Sequence, residues 1–189
     1  MINSEQPEIQ QSDSLSGHEI TFDGQKLSII LIAMIIPFFI GGEKLFDLLW
    51  EGKSGLLQMN IPTWMKYASV LLGIFLHELI HGLVFARYAP NGFKAVKFGA
   101  NLRMGAIYCH CKDPVKVKHY MRAGIAPLII LGLLPLIFAF VTGVHWLNTY
   151  GLLLTIGGFG DLLIWLKLLK FDRNMLIRDH PEKLGFIIE

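Results

Sequence analysis

Long apolar runs alternate along this chain with short polar or glycine-rich breaks, and the length of each run sets what it can become. The first, from Leu27 to about Ile40, passes into the amphipathic stretch Glu43-Lys44-Leu45-Phe46-Asp47-Leu48-Leu49-Trp50. Its strictly apolar part falls short of the roughly 20 residues that a perpendicular spanning helix needs. With the amphipathic extension, and Trp50 as an interface anchor, it can still span, and Pro37 marks a place for a kink. Glu51 to Lys66 reads as a loop broken by Gly52, Gly55 and Pro62, with Trp64 near the next interface. The second run, Tyr67 to Tyr88, stops at Tyr88-Ala89-Pro90-Asn91-Gly92. The third, Gly124 to Val144, carries Pro127 and Pro135, which a spanning helix tolerates when neighbouring helices cover the freed backbone groups. After a short loop at His145 to Tyr150 comes the fourth, Gly151 to Leu169.

Between the second and third runs the pattern changes. Phe93 to Lys112 has short mixed segments broken by Gly99 and Gly105, which predicts a small hairpin over about 94–111. Its strands would be Lys94–Gly99 and Arg103–Cys111, with Ala100-Asn101-Leu102 at the turn. Asp113-Pro114 then opens a basic helix, with Lys116, Lys118, His119 and Arg122, that leads into the membrane. The expected fold is an all-α integral membrane protein of about four transmembrane helices, with a β-hairpin between the second and third. Residues 1–26 are polar and acidic and lack the positive start of a signal peptide, so they are expected to form a flexible tail that stays attached. Residues 27–170 form the membrane-embedded domain, and 171–189 a charged tail outside the membrane.

Composition agrees: 53% of residues are hydrophobic and only 17% charged, against about 25% charged in soluble domains. A net charge of +2 gives no support to nucleic-acid binding. The distribution of charge matters more than its sum. Arg87, Lys94, Lys97, Arg103, Lys112, Lys116, Lys118 and Arg122 face one acid, Asp113, in the segment from 87 to 122. The C-terminal tail adds Lys170, Arg173, Arg178 and Lys183. By the positive-inside rule both regions belong in the cytoplasm, and four spans put the N-terminus there too.

Candidate chemistry sits in the middle of the second run, at His77-Glu78-Leu79-Ile80-His81. Histidines four apart on a helix share one face, a spacing that suits tetrahedral Zn²⁺, with Glu78 beside it as general base for water. The alternative is an exposed amphipathic face, but Val70 to Leu76 and Gly82 to Ala86 flank the motif with almost nothing polar. Buried imidazoles and a carboxylate are costly unless paired or metal-bound. In the fourth run Asp161 stands alone within Gly157-Gly158-Phe159-Gly160-Asp161, so it either joins a metal on His77 and His81 or bonds to a neighbouring helix. His81 precedes Arg87, and Asp161 precedes Lys167, by the same interval, which puts both about 9 Å from their charged helix ends at 1.5 Å per residue. Cys109 and Cys111 share one strand face while His110 points away, and two thiols make a poor zinc site, so ordinary reduced cysteines are expected. Glu43 and Asp47 read as an interfacial helix face, with Glu43 the next candidate ligand, and His145 as an interfacial residue.

On these residues the chain resembles the putative zincin peptidase family of small bacterial membrane proteins and, more distantly, intramembrane metalloproteases of the site-2 type. The HELIH helix, the hairpin after it, Ala123-Gly124-Ile125-Ala126-Pro127 and Gly160-Asp161 carry the resemblance, over roughly residues 65–185. It implies His77, His81 and Asp161 as zinc ligands, Glu78 as catalytic base, and a multi-pass protein of the bacterial cytoplasmic membrane. Leu162 departs from the glycine usual after the aspartate of site-2 proteases. The implied activity is zinc-dependent hydrolysis of membrane-associated protein or peptide substrates, with the hairpin offering an edge strand for an extended substrate. The competing readings are a membrane scaffold or regulator that keeps the fold but cuts nothing, and a metal transporter. The transporter reading is opposed by the lack of an inverted internal repeat.

Overall fold

A computed structural model describes residues 18–21, 24–53, 55–57, 61–101, 106–180 and 185–189. Helix α1 (Gly24–Trp50) runs through Pro37 without a break, and α2 (Thr63–Tyr88) carries the histidine motif. The loop expected to reach Lys66 ends earlier, because Thr63 follows Pro62, whose fixed φ suits it to a helix start. Arg87 in the last turn of α2 opposes the negative end of the helix dipole, and Pro90 lies just beyond Ala89.

Two sheets surround the polar end of the bundle. Strand β1 is His18–Thr21, β2 Val96–Asn101, β3 Ala106–Cys111 and β4 Val115–Lys116. After the remaining helices come β5 (Leu176–Asp179) and β6 (Gly185–Ile188). The hairpin forms as β2 against β3, antiparallel, with Phe98 opposite Cys109 and Val96 opposite Cys111. Ala100 and Asn101, expected in its turn, are paired strand residues opposite Ile107 and Ala106. The rest of the expected turn, Leu102, lies outside the described residues. A second, four-stranded sheet of order β1-β6-β5-β4 was not anticipated. It joins His18–Thr21, from the segment read as a tail, to the C-terminal strands in register His18 to Ile188. The fold class is therefore mostly helical with two small sheets, rather than helical with one hairpin.

Strand β4 runs directly into α3 (Val117–Pro127), which continues through a π-helical turn, Leu128–Leu133, into α4 (Leu134–Thr142). Gly143 ends α4 in the left-handed region at φ 74°, where a side chain would be strained. His145 to Tyr150, read as a loop, opens α5 (His145–Gly157), and α6 (Phe159–Leu168) follows at a 47° bend. The fourth run is thus a broken pair. Gly158 sits at the break, where an added Cβ would come within 2.9 Å of Leu128 Cδ1. Ser28–Trp50, Thr63–Tyr88 and Val117–Thr142 are long and apolar enough to cross a membrane, and the bent pair makes a fourth if it counts as one span.

A hydrophobic core lies where the helix ends meet the sheets. Phe85, Ala95, Cys111, Val117, Tyr120, Met121, Ala123, Leu168, Ile177 and Phe186 form one buried cluster there. The outer faces of the spans leave Ile29, Leu48, Leu71, Ile137 and Val141 exposed, as a lipid-facing surface would be.

Candidate metal centre

Helical spacing stacks His77 and His81 on the inner face of α2, both buried, with ring centroids 4.8 Å apart. Asp161 reaches them from the first turn of α6, where an acid is favoured by the helix dipole. Its Oδ2 lies 3.0 Å from His77 Nε2 and 3.4 Å from His81 Nε2. The ligating atoms of these residues all lie within 4.8 Å of one another, and no other such group of three occurs among the described residues. Both histidines thus converge on one carboxylate oxygen, across the bend between α5 and α6.

The hydrogen bond on the far side of His81 fixes its role. Its Nδ1 is 2.8 Å from the Ala123 carbonyl oxygen, a group that can only accept, so Nδ1 donates. In the neutral ring Nε2 then presents a lone pair to the Asp161 carboxylate. Two lone pairs at that distance repel unless a proton or a cation stands between them. Two imidazole nitrogens and one carboxylate oxygen, in an apolar surround, form a donor set that suits Zn²⁺ with an open position. The residues present fit the ion.

Pro127 explains why the Ala123 carbonyl is available. In an α-helix the N–H four residues on bonds to each carbonyl, and a proline at 127 has none to give to Ala123. The freed oxygen meets His81, an outer contact of the kind that sets the tautomer and orientation of a metal-binding ring.

Glu78 is half-buried beside His77, and the Cys109 backbone N–H of β3 faces its carboxylate. The hairpin reaches this position because residue 82 is glycine: any Cβ there would strike the Phe98 ring. The Lys112 N–H bonds to the Ala95 carbonyl at 2.9 Å, so the even-numbered β3 residues 108 and 110 face β2. Cys109 and Cys111 consequently turn their amides to the outer edge of β3, one toward Glu78 and the other to Asp179 Oδ2 at 2.7 Å.

Both cysteines are free thiols, and burial pushes each up to about 12, which keeps them protonated and poor ligands at neutral pH. Glu43 is not brought to the centre. It accepts from Thr149 Oγ1 at 2.9 Å and lies 3.5 Å from His145 Nε2, itself 3.7 Å from Asp47 Oδ1. Sequence alone does not single out the Ala123 carbonyl, the Cys109 amide, Tyr120 or Asp179. Only the first left a signal, the proline four residues after Ala123.

A family profile described as "Putative zincin peptidase" matches residues 70–176, more than half of the 189-residue chain. The chain belongs to that family. No curated protein and no solved structure matches it.

Proposed function

We propose that this protein is a zinc-dependent endopeptidase that hydrolyses peptide bonds of membrane-associated proteins within the membrane or at its surface. The observation that carries the reading is the convergence of His77 Nε2 and His81 Nε2 on Asp161 Oδ2, with Glu78 on the adjoining turn. His77, His81 and Asp161 would hold the ion. Zn²⁺ in such a site supplies Lewis acidity, polarising a carbonyl and making water nucleophilic near neutral pH.

The chain's own residues do the rest. Glu78 takes a proton from the attacking water and returns it to the departing amine, the work of a general base turned general acid. The Cys109 amide holds the Glu78 carboxylate in place. Ala123 keeps His81 in the tautomer that presents Nε2. The apolar flanks of α2 and α3 limit bulk water around these groups. Because a helical substrate hides its carbonyls, the scissile segment is extended, and it pairs with the outer edge of β3 at Ile107, beyond the Cys109 and Cys111 amides that face Glu78 and Asp179. The apolar helices and the basic segment from 87 to 122 support a multi-pass membrane protein with that segment on the cytoplasmic side, in the bacterial cytoplasmic membrane that the resemblance implies.

The test compares wild type with Glu78→Gln on a fluorogenic reporter peptide in mixed micelles. The variant should keep its zinc and lose turnover by roughly 10²–10⁴-fold, the usual worth of a general base. Equal turnover in both proteins would remove Glu78 from the chemistry and favour a scaffold that cuts nothing.

A further inference from the structure

Asp179 lies on β5, beyond the 70–176 region that matches the family. It is a carboxylate in a region otherwise packed with apolar side chains, its own side chain only 14% exposed. Oδ2 accepts the Cys111 backbone N–H at 2.7 Å, and Oδ1 accepts the Tyr120 hydroxyl. His110 Nδ1 is 3.6 Å from Oδ2. Burial pushes this carboxyl above the usual range, while the Tyr120 and Cys111 donors pull it back. A carboxylate kept so far from water needs those donors, and they in turn are held by it.

Each partner sits next to a working part of the metal centre. Cys111 shares the outer edge of β3 with Cys109, whose amide faces Glu78. Tyr120 is one helical turn before Ala123 on α3, so the two share a face, and the Ala123 carbonyl orients His81. The sheet fixes Asp179 itself, through the pairing of Asp179 with Phe186 and of Ile177 with Val115.

We propose that Asp179 is a positioning residue of the centre: its carboxylate fastens the strand that anchors Glu78 to the helix that orients His81. The consequence for turnover rests on the peptidase reading, whereas the fastening itself does not. Asparagine can replace the carboxylate, because its amide oxygen accepts from Cys111 while its nitrogen donates to the Tyr120 oxygen. Alanine cannot.

The experiment measures residue-resolved amide exchange in the full chain in detergent, for wild type, Asp179→Asn and Asp179→Ala, with zinc bound. In Asp179→Ala the Cys109 amide should exchange several-fold faster, while the Tyr108 and His110 amides, which face β2, keep their rates. Asp179→Asn should restore the slow exchange at Cys109. On the reporter peptide, Asp179→Ala should lower kcat by roughly tenfold at unchanged KM, the scale of lost outer contacts at metal sites, and Asp179→Asn should recover most of it. Unchanged exchange at Cys109 in Asp179→Ala would overturn the proposal. Equal acceleration along all of β3, or failure of asparagine to rescue, would also overturn it, because either marks general loosening. If wild type cleaves nothing yet the exchange pattern holds, the peptidase reading fails and the fastening role stands.

Discussion

Helices α1 and α2 are nearly equal in length, 27 and 26 residues, and both are apolar enough to cross a membrane. Yet only 6% of the most apolar window of α1 is buried within the protein, against 28% for α2. Among the described residues of α1 only Phe46 is buried, whereas α2 buries Gly73, His77, His81, Gly82 and Phe85. The two helices solve different problems. In α1, large apolar side chains face outward to where lipid would cover them, and Glu43 finds its partners at a half-exposed end. In α2, the inward face is made of imidazoles and glycines, which trade hydrophobic contact for a ligand pair and for close approach of the hairpin. Apolar content is thus no guide to function here. What each helix turns inward separates them.

Substitutions on or against α2 should therefore cost far more than matching ones on α1. Apart from the ligands and Glu78, the largest effect should come from Ile107→Pro, at the outer edge of β3: turnover on the reporter peptide collapses while zinc content stays at the wild-type level. Unchanged turnover would remove the edge-strand docking of substrate. Next is Pro127→Ala, which gives the Ala123 carbonyl an intrahelical donor to compete with His81. Chelator competition should find zinc binding weakened by about 10-fold or more, the scale for second contacts of metal ligands.

Gly82→Ala comes third, because its Cβ strikes the aromatic ring of Phe98. The hairpin must shift, at a typical overpacking cost of about 1–3 kcal/mol, read as a lower midpoint of thermal unfolding. Gly41→Ala on α1 meets nothing within 4 Å, so its midpoint should move less. Smallest of all, Glu43→Gln should leave zinc affinity untouched and stability within about 0.5 kcal/mol. A loss of zinc in Glu43→Gln would erase the contrast between the two helices.

Much of the centre was legible in the chain because its parts are local. Helical spacing places His77 over His81 whatever the rest of the fold does, and an unpaired acid in an apolar run, Asp161, had few partners to choose from. The matching intervals to Arg87 and Lys167 anticipated that these groups meet. The break at Gly158 escaped notice, since a glycine pair in an apolar run reads equally well as close helix packing. The four-stranded sheet was illegible for a different reason. Its strands are as short as two residues, and they pair His18–Thr21 with the far end of the chain. No local pattern carries that partnership. Asp179 was hidden with it, as one charge among many in a segment read as a tail.

The central claim is that His77, His81 and Asp161 hold one ion, and the zinc content of the detergent-purified protein tests it most directly. Wild type should carry one zinc per chain, and His77→Ala, His81→Ala and Asp161→Ala should each lose it while remaining folded. A well-folded wild type that contains no zinc and takes up none when zinc is added would contradict the account.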